Sequence, residues 1–184
     1  CLSRGALFQV DPIMPAKVGI LVTGTEVYRG LIEDKFEPVI RKKVEPFHCE
    51  VVHTAIAPDD AEKIAGHIQT MCEMGADLII TTAGLSVDPD DQTRKGLNLA
   101  GLEDVLYGAP ILPGAMTLLG RIGMARVIGV PACALFHKTT SLDLILPRLL
   151  AGQHITRKDL ARYAEGGFCL NCKSCTFPKC PFGK

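Results

Sequence analysis

Residues 17–24 read KVGILVTG, an unbroken apolar run that closes on small polar residues. A strand with no polar face has to be covered on both sides, and such strands belong to parallel sheets clad in helices. CEVVHTAIA at 49–57 reads as a second strand, DLIITT at 77–82 as a third that is too apolar to be exposed on either face, RVIGV at 126–130 as a further short strand, and residues 105–112 also read as extended. Helical stretches separate them. One is predicted over 31–44, with Pro38 inside it as a kink or an early stop. A second opens at Pro58-Asp59-Asp60, where Glu62 stands three residues after Asp59 like a capping-box partner. It repeats Ile64, Ala65, Ile68, Met71 and Cys72 at helical spacing and stops at Gly75. Ser141–Leu150 reads as a strongly apolar helix bent at Pro147, residues 156–163 as a short polar one, and Gly166-Gly167 as a hinge. This alternation predicts an α/β fold, a three-layer α/β/α sandwich around a mostly parallel sheet. Ligands of such sheets bind where the loops splay apart at the carboxyl ends of the strands.

The chain has 184 residues, enough for one such domain and a small appendage. The boundaries read as an N-terminal extension (1–15), an α/β domain (16–152), a helical linker (153–167) and a Cys-rich tail (168–184). The chain begins at Cys1 rather than methionine, which predicts a fragment or a processed form. Twenty basic and twenty acidic residues cancel, so no net positive field is available to hold nucleic acid or an anionic membrane. Aromatic residues make up 5% with no tryptophan, too few for a base-stacking platform. No apolar run reaches the roughly 18 residues of a membrane span. Of eight cysteines, four are scattered and four fall between 169 and 180. A disulfide framework would be spread more evenly, so this distribution predicts a reducing, cytoplasmic setting and a terminal metal site.

Three groups of small residues sit at predicted strand ends: Thr23-Gly24-Thr25-Glu26, Thr82-Ala83-Gly84-Leu85-Ser86 and Pro113-Gly114. Pro131-Ala132 forms a further tight loop. Small residues let backbone N–H groups approach an anion, hydroxyls add neutral donors, and a following helix adds partial positive charge. Each loop alone is equally a tight strand-to-helix turn. No GxGxxG fingerprint and no GxxxxGK[ST] phosphate loop is present.

Asp59 and Asp91 follow strand ends. Carboxylates repel a phosphate unless a divalent cation bridges the two, so both are candidate Mg²⁺ ligands. The competing role for each is to cap its own helix. Asp88, Asp90 and Asp91 crowd one loop, which favours a cation there. The five histidines lack metal-ligand spacing, and Cys133 reads as a small buried residue or as a reactive thiol.

The tail carries Cys169-x2-Cys172-x2-Cys175-x4-Cys180-Pro181. Four thiolates in so short a span can wrap one tetrahedral Zn²⁺ or one [4Fe–4S] cluster. The spacing is one residue longer than the bacterial ferredoxin run, and zinc more often uses two separated C-x2-C knuckles. Both metals therefore remain open. Lys173, Lys179 and Lys184 offset part of the thiolate charge.

Taken in order, VGILVTGTEV, APDD, TTAGLSVDPDDQT and PG followed by VIGVPA resemble the molybdopterin-binding family over about residues 16–152. That fold is shared by molybdopterin adenylyltransferases, molybdenum insertases and competence-damage-inducible-type proteins, and here it carries an added C-terminal cysteine cluster. The family's central loop, T-x-G-G-x-[SG] with an aspartate seven residues beyond the second glycine, matches at Gly84, Ser86 and Asp91. The resemblance implies a pterin phosphate cradled by Thr82–Ser86, an acidic first loop at Thr25-Glu26, and Mg²⁺-assisted adenylyl transfer served by Asp59 and Asp91. It also implies homo-oligomers, trimers or dimers. Ala83 replaces the first glycine of the central pair. Pro113-Gly114-Ala115-Met116 and Pro131-Ala132-Cys133-Ala134 lack the lysine and asparagine of the insertase loops. The implied function is molybdopterin or nucleotide-linked pterin binding in molybdenum or tungsten cofactor biosynthesis or delivery, by adenylyl transfer or metal insertion. The alternatives are a non-catalytic carrier module that docks a redox partner such as a molybdoenzyme through its cysteine tail, and a nucleotide pyrophosphatase.

Overall fold

In the computed structural model, residues 10–82 and 91–184 are described. Six strands form one sheet: β1 (Lys17–Thr23), β2 (Glu50–Ala57), β3 (Leu78–Thr82), β4 (Glu103–Tyr107), β5 (Leu118–Ile122) and β6 (Ala125–Val130), in the order β2-β1-β3-β6-β5-β4. The β2-β1-β3-β6 half is parallel, and β5 and β4 add antiparallel pairings. The helices are α1 (Thr25–Tyr28), α2 (Phe36–Val44), α3 (Ala61–Glu73), α4 (Gln92–Leu99), α5 (Ser141–Leu150), α6 (Arg157–Ala161) and α7 (Tyr163–Gly166).

The period-2 alternation of the strands divides the core into two layers. Val18, Ile20, Val22, Leu78, Ile80, Ile128 and Val130 face one side and pack on α2, α5, α6 and α7. Leu21, Ile79 and Val127 face the other and pack on Ile64, Ile68 and Met71 of α3 and Leu97 of α4. Gly19 lies on this second side because a Cβ there would stand 2.7 Å from Met71 Sδ. The three layers and the mostly parallel sheet agree with the reading from sequence.

Several local expectations fail. The helix predicted over 31–44 begins at Phe36, after Asp34 Oδ1 takes the Phe36 N–H at 2.7 Å. Pro38 falls in the first turn, where its missing N–H costs nothing. The cap of α3 is Asp60, whose carboxylate accepts from Glu62 N and Lys63 N, so Asp59 does not play that part. The stretch 118–130 holds two strands joined at Gly123 (φ 56°), of which the sequence reading recognised only the second. Helix α5 has the expected bounds, Ser141–Leu150, with Pro147 inside it and Ala151 N–H bonded to the Pro147 carbonyl.

Gly166 and Gly167 are packed junctions rather than a hinge. A Cβ on Gly166 would strike the Lys184 backbone, and one on Gly167 would strike the carbonyls of Pro110 and Tyr163. The tail is fastened at both ends. Leu112 N–H donates to Gly167 O (2.6 Å) and Cys169 N–H to Leu112 O (2.7 Å), while Phe182 is buried in the core and Gly183 N–H bonds Gly166 O. No helix of the described residues is long and apolar enough to cross a membrane.

Candidate functional site at the carboxyl edge of the sheet

The register pairs Thr23 with Ala57, Val22 with Thr82 and Thr82 with Val130, so the loops after β2, β1, β3 and β6 leave the same edge of the sheet. Gly24 N–H donates to Ala57 O at 3.0 Å, and Gly24 adopts φ 145°, a conformation few other residues tolerate. The turn sends the chain into α1 and points Thr25 at the β2–α3 loop. There Thr25 N–H donates to Asp59 Oδ2 (2.9 Å) and Asp59 N–H donates to Thr25 Oγ1 (3.1 Å). Asp59 is exposed and, among the described residues, in no ion pair. Glu26 is exposed on α1.

On the other side, Asp91 is the N-cap of α4. Its Oδ1 accepts from Thr93 N (3.0 Å) and Arg94 N (3.4 Å). The capping role weighed from sequence is therefore real for Asp91 and false for Asp59. Thr93 joins the two halves, since its hydroxyl lies 2.9 Å from that of Thr23, which stands within 2.8 Å of Thr82 O. Both threonines are buried, so they brace the edge from beneath. Hydrogen bonds thus tie Asp59 to Thr25 on one side and Thr23 through Thr93 to Asp91 on the other, and the backbone of the Gly24 turn joins the two sets. The hydroxyls of Thr81 and Thr82 are also fully buried and have no hydrogen-bond partner among the described residues. Ala83, Gly84, Leu85 and Ser86 of the expected phosphate loop lie outside the described residues, as do Asp88 and Asp90.

Sequence reasoning overlooked Thr93, Arg94 and Tyr107. The Arg94 guanidinium sits 4.7 Å from the Tyr107 ring centroid. Burial raises the Tyr107 hydroxyl above its ordinary pKa, with Arg94 opposing and the Asp91 carboxylate adding to the rise. Cation and carboxylate therefore stand together at the start of α4. Thr93 and Arg94 stand two and three residues after Asp91, so the usual N2 and N3 positions of a helix cap were the available signal for these two.

Pro113-Gly114 reaches the same edge in another capacity. Gly114 (φ 117°) is buried, and a Cβ on it would collide with Ser141 at the start of α5. Thr117 Oγ1 donates to Gly114 O at 2.7 Å, and Ser141 N–H donates to Pro113 O at 3.0 Å. Its smallness serves helix packing. Pro131 is half-buried, and Ala132 is exposed in a short 3-10 turn over Ala132–Leu135.

The four tail cysteines are free thiols, with Cys172 and Cys175 exposed and Cys169 and Cys180 half-buried. All four line one cavity. Among the described residues, however, no three His, Cys, Asp or Glu side chains are gathered closely enough to hold a single metal ion. A ready-made one-ion site, as a zinc reading of the spacing expects, is not present among them. Cys175 Sγ stands 3.3 Å from Thr139 Oγ1, and that hydrogen bond, helped by one from the Phe177 backbone, lowers its pKa. Burial raises the thiols of Cys72 and Cys133 instead.

Comparison with known proteins places this geometry in context. A CinA-like protein of Mycobacterium tuberculosis is 37% identical over 78 residues, which is 42% of this chain and 18% of that relative. The MoaB molybdopterin biosynthesis enzyme of Thermus thermophilus superposes with a TM-score of 0.60 at 22% identity, over 75% of this chain and 98% of that one. MoaB from Pyrococcus furiosus, a tungsten cofactor synthesizing protein, superposes with a TM-score of 0.57 at 21% identity, over 73% and 92% of the two chains. Residues 19–151 match the family described as "Probable molybdopterin binding domain", and the match takes in the β1, β2 and β3 strand ends, Asp59 and Asp91. The chain belongs to the molybdopterin-binding domain family.

Proposed function

We propose that this chain binds molybdopterin, or a pterin joined to a nucleotide, at the carboxyl ends of β1, β2 and β3, and that it serves molybdenum or tungsten cofactor biosynthesis or delivery. The observation that carries the reading is that Asp59 and Asp91, two carboxylates from different loops, are both hydrogen-bonded to the β1–α1 segment, Asp59 to Thr25 directly and Asp91 through Thr93 to Thr23. The phosphate belongs on Thr82–Ser86, where the buried Thr82 hydroxyl supports the assignment. Gly24 and Thr25 supply the neighbouring backbone, Arg94 a positive charge, and Pro113-Gly114 and Pro131-Ala132 the outer rim.

Asp59 and Asp91 fit a divalent cation, because each spends one carboxylate oxygen on backbone N–H groups and so is held in place. Bound Mg²⁺ would neutralise phosphate oxygens during adenylyl transfer or metal insertion. The residues' own work is to orient those oxygens, through fixed donors at the α4 start and the Gly24 turn. In this reading the protein is a homo-oligomer. In its cysteine tail, which packs on the domain, Cys169, Cys172, Cys175 and Cys180 hold Zn²⁺ or a [4Fe–4S] cluster.

The burial of Gly114 against Ser141 favours a second reading, since a loop committed to packing offers little to a reacting ligand. That reading is a non-catalytic carrier. Both are tested by mass spectrometry of the copurifying small molecule and by Mg²⁺-dependent turnover of an adenylylated or phosphorylated pterin. Turnover abolished in Asp91→Ala supports the enzyme, and tight binding without turnover under any metal supports the carrier. Hydrolysis of ADP-ribose with no pterin affinity would replace both with a nucleotide pyrophosphatase.

A further inference from the structure

The pterin site makes no use of the tail, although the tail is built into the domain. Cys169, Cys172, Cys175 and Cys180 surround a cavity of about 290 Å³. The rest of its wall is largely apolar: Phe182 is buried and Phe177 half-buried, Phe168 and Leu170 are exposed, and Glu165 adds a carboxylate. Both ends of the segment are fixed, by the Leu112–Phe168 bridge at one end and the burial of Phe182 at the other. The cavity therefore belongs to the fold and does not come from a loose chain end.

Its size separates the two metals left open by the spacing. A single tetrahedral Zn²⁺, about 2.3 Å from each thiolate, would draw the four sulfurs to within roughly 3.8 Å of one another. Among the described residues no three of them form a group that could hold one metal ion. Four thiols lining one void, with no one-ion group among them, suit a ligand with its own volume, whose separate metal atoms each meet one thiolate. Phe177 and Phe182 suit such a centre by limiting solvent on their side of it.

We propose that these four cysteines ligate one [4Fe–4S] cluster seated in this cavity, with each thiol giving up its proton as its sulfur bonds one iron. The proposal rests on the reading of the tail as metal-binding and is independent of the pterin site. Thr139 Oγ1, 3.3 Å from Cys175 Sγ, would then donate to a cluster thiolate, a contact of the kind that adjusts reduction potential.

The test is anaerobic reconstitution of the full chain with ferrous iron, sulfide and a thiol reductant, and separately with Zn²⁺ alone. The expected product holds about four irons and four acid-labile sulfides per chain. It has a broad visible charge-transfer absorption that bleaches on reduction, and a paramagnetic signal in the reduced state. Cys172→Ser, at an exposed position, should lose that absorption while keeping the far-ultraviolet circular dichroism of the parent, and Cys72→Ser on α3 should keep the cluster. One zinc per chain with no iron–sulfide uptake overturns the cluster and leaves a metal-binding tail. Failure to retain any metal overturns both. An intact cluster in Cys172→Ser would remove that cysteine and the four-thiolate site.

Discussion

The two neighbouring aspartates of the β2–α3 loop divide two jobs, and substitution can separate them. Asp60 caps α3 through Glu62 N and Lys63 N, while Asp59 holds only Thr25. Asp60→Ala removes an N-cap, a loss of about 1 kcal/mol, or roughly 2–4 °C in melting temperature for a chain of this size. It should leave ligand affinity within about a factor of two, because half of 1.4 kcal/mol is already a threefold change and the cap touches no site residue. Asp59→Asn keeps an acceptor for the Thr25 N–H and changes only charge. Its stability should stay within about 0.5 kcal/mol of the parent. Its Mg²⁺-dependent nucleotide or pterin binding should fall at least about tenfold, the lower end of what even an outer-sphere change costs a metal site. Asp91→Asn gives the matching control on the other loop, since asparagine caps a helix as well as aspartate does. Urea melts and isothermal titration with and without Mg²⁺ give the readings. Unaltered Mg²⁺-dependent binding in both Asp59→Asn and Asp91→Asn would refute the two-carboxylate site. A larger stability loss in Asp59→Asn than in Asp60→Ala would refute the assignment of the cap.

Gly114→Ala combines a positive φ with a collision at Ser141 and should cost more than about 2 kcal/mol, read as a fall in urea midpoint at unchanged slope. Phe182→Ala empties a buried position in the core and should cost about 3 kcal/mol, with faster proteolytic loss of the tail. In metal-free protein the Cys175 thiol is held below its ordinary pKa, so its thiolate forms at lower pH than those of Cys72 and Cys133, whose pKa values are raised. As pH rises, alkylation followed by mass spectrometry should label Cys175 before Cys72 and Cys133, and Thr139→Val should move its onset to higher pH. Equal onset in the two proteins would dismiss the hydrogen bond as the cause.

The strands buried on both faces were legible because nothing else accounts for runs such as GILV and LIITT in a chain with no membrane-length apolar stretch, and the carboxyl edge followed from their direction. The hairpin of β5 and β6 was harder to see. Its turn, Gly123-Met124, lacks the usual Asn-Gly signal, and LLGRIGMARVIGV has apolar residues throughout. The cap of α3 was displaced by one residue because Asp59 and Asp60 are chemically identical. Only the hydrogen bond to Thr25, 34 positions away, distinguishes them. Gly166-Gly167 read as a hinge because sequence shows small size and not the atoms that require it. The four cysteines were visible as a group, but the cavity between them depends on Phe168, Phe177 and Phe182, whose placement is tertiary.

The outermost strand also limits how copies of this molecule can meet. β4 carries Glu103 and Asp104 on its exposed end, both gripped by Arg121, and Asp104 adopts φ 53° where the pairing with β5 slips between Glu103 and Leu106. A second strand approaching that margin would meet a bent backbone and two carboxylates instead of a straight row of donors and acceptors. Growth of the sheet across that border is closed, so self-association has to use helices, loops or the opposite margin at β2.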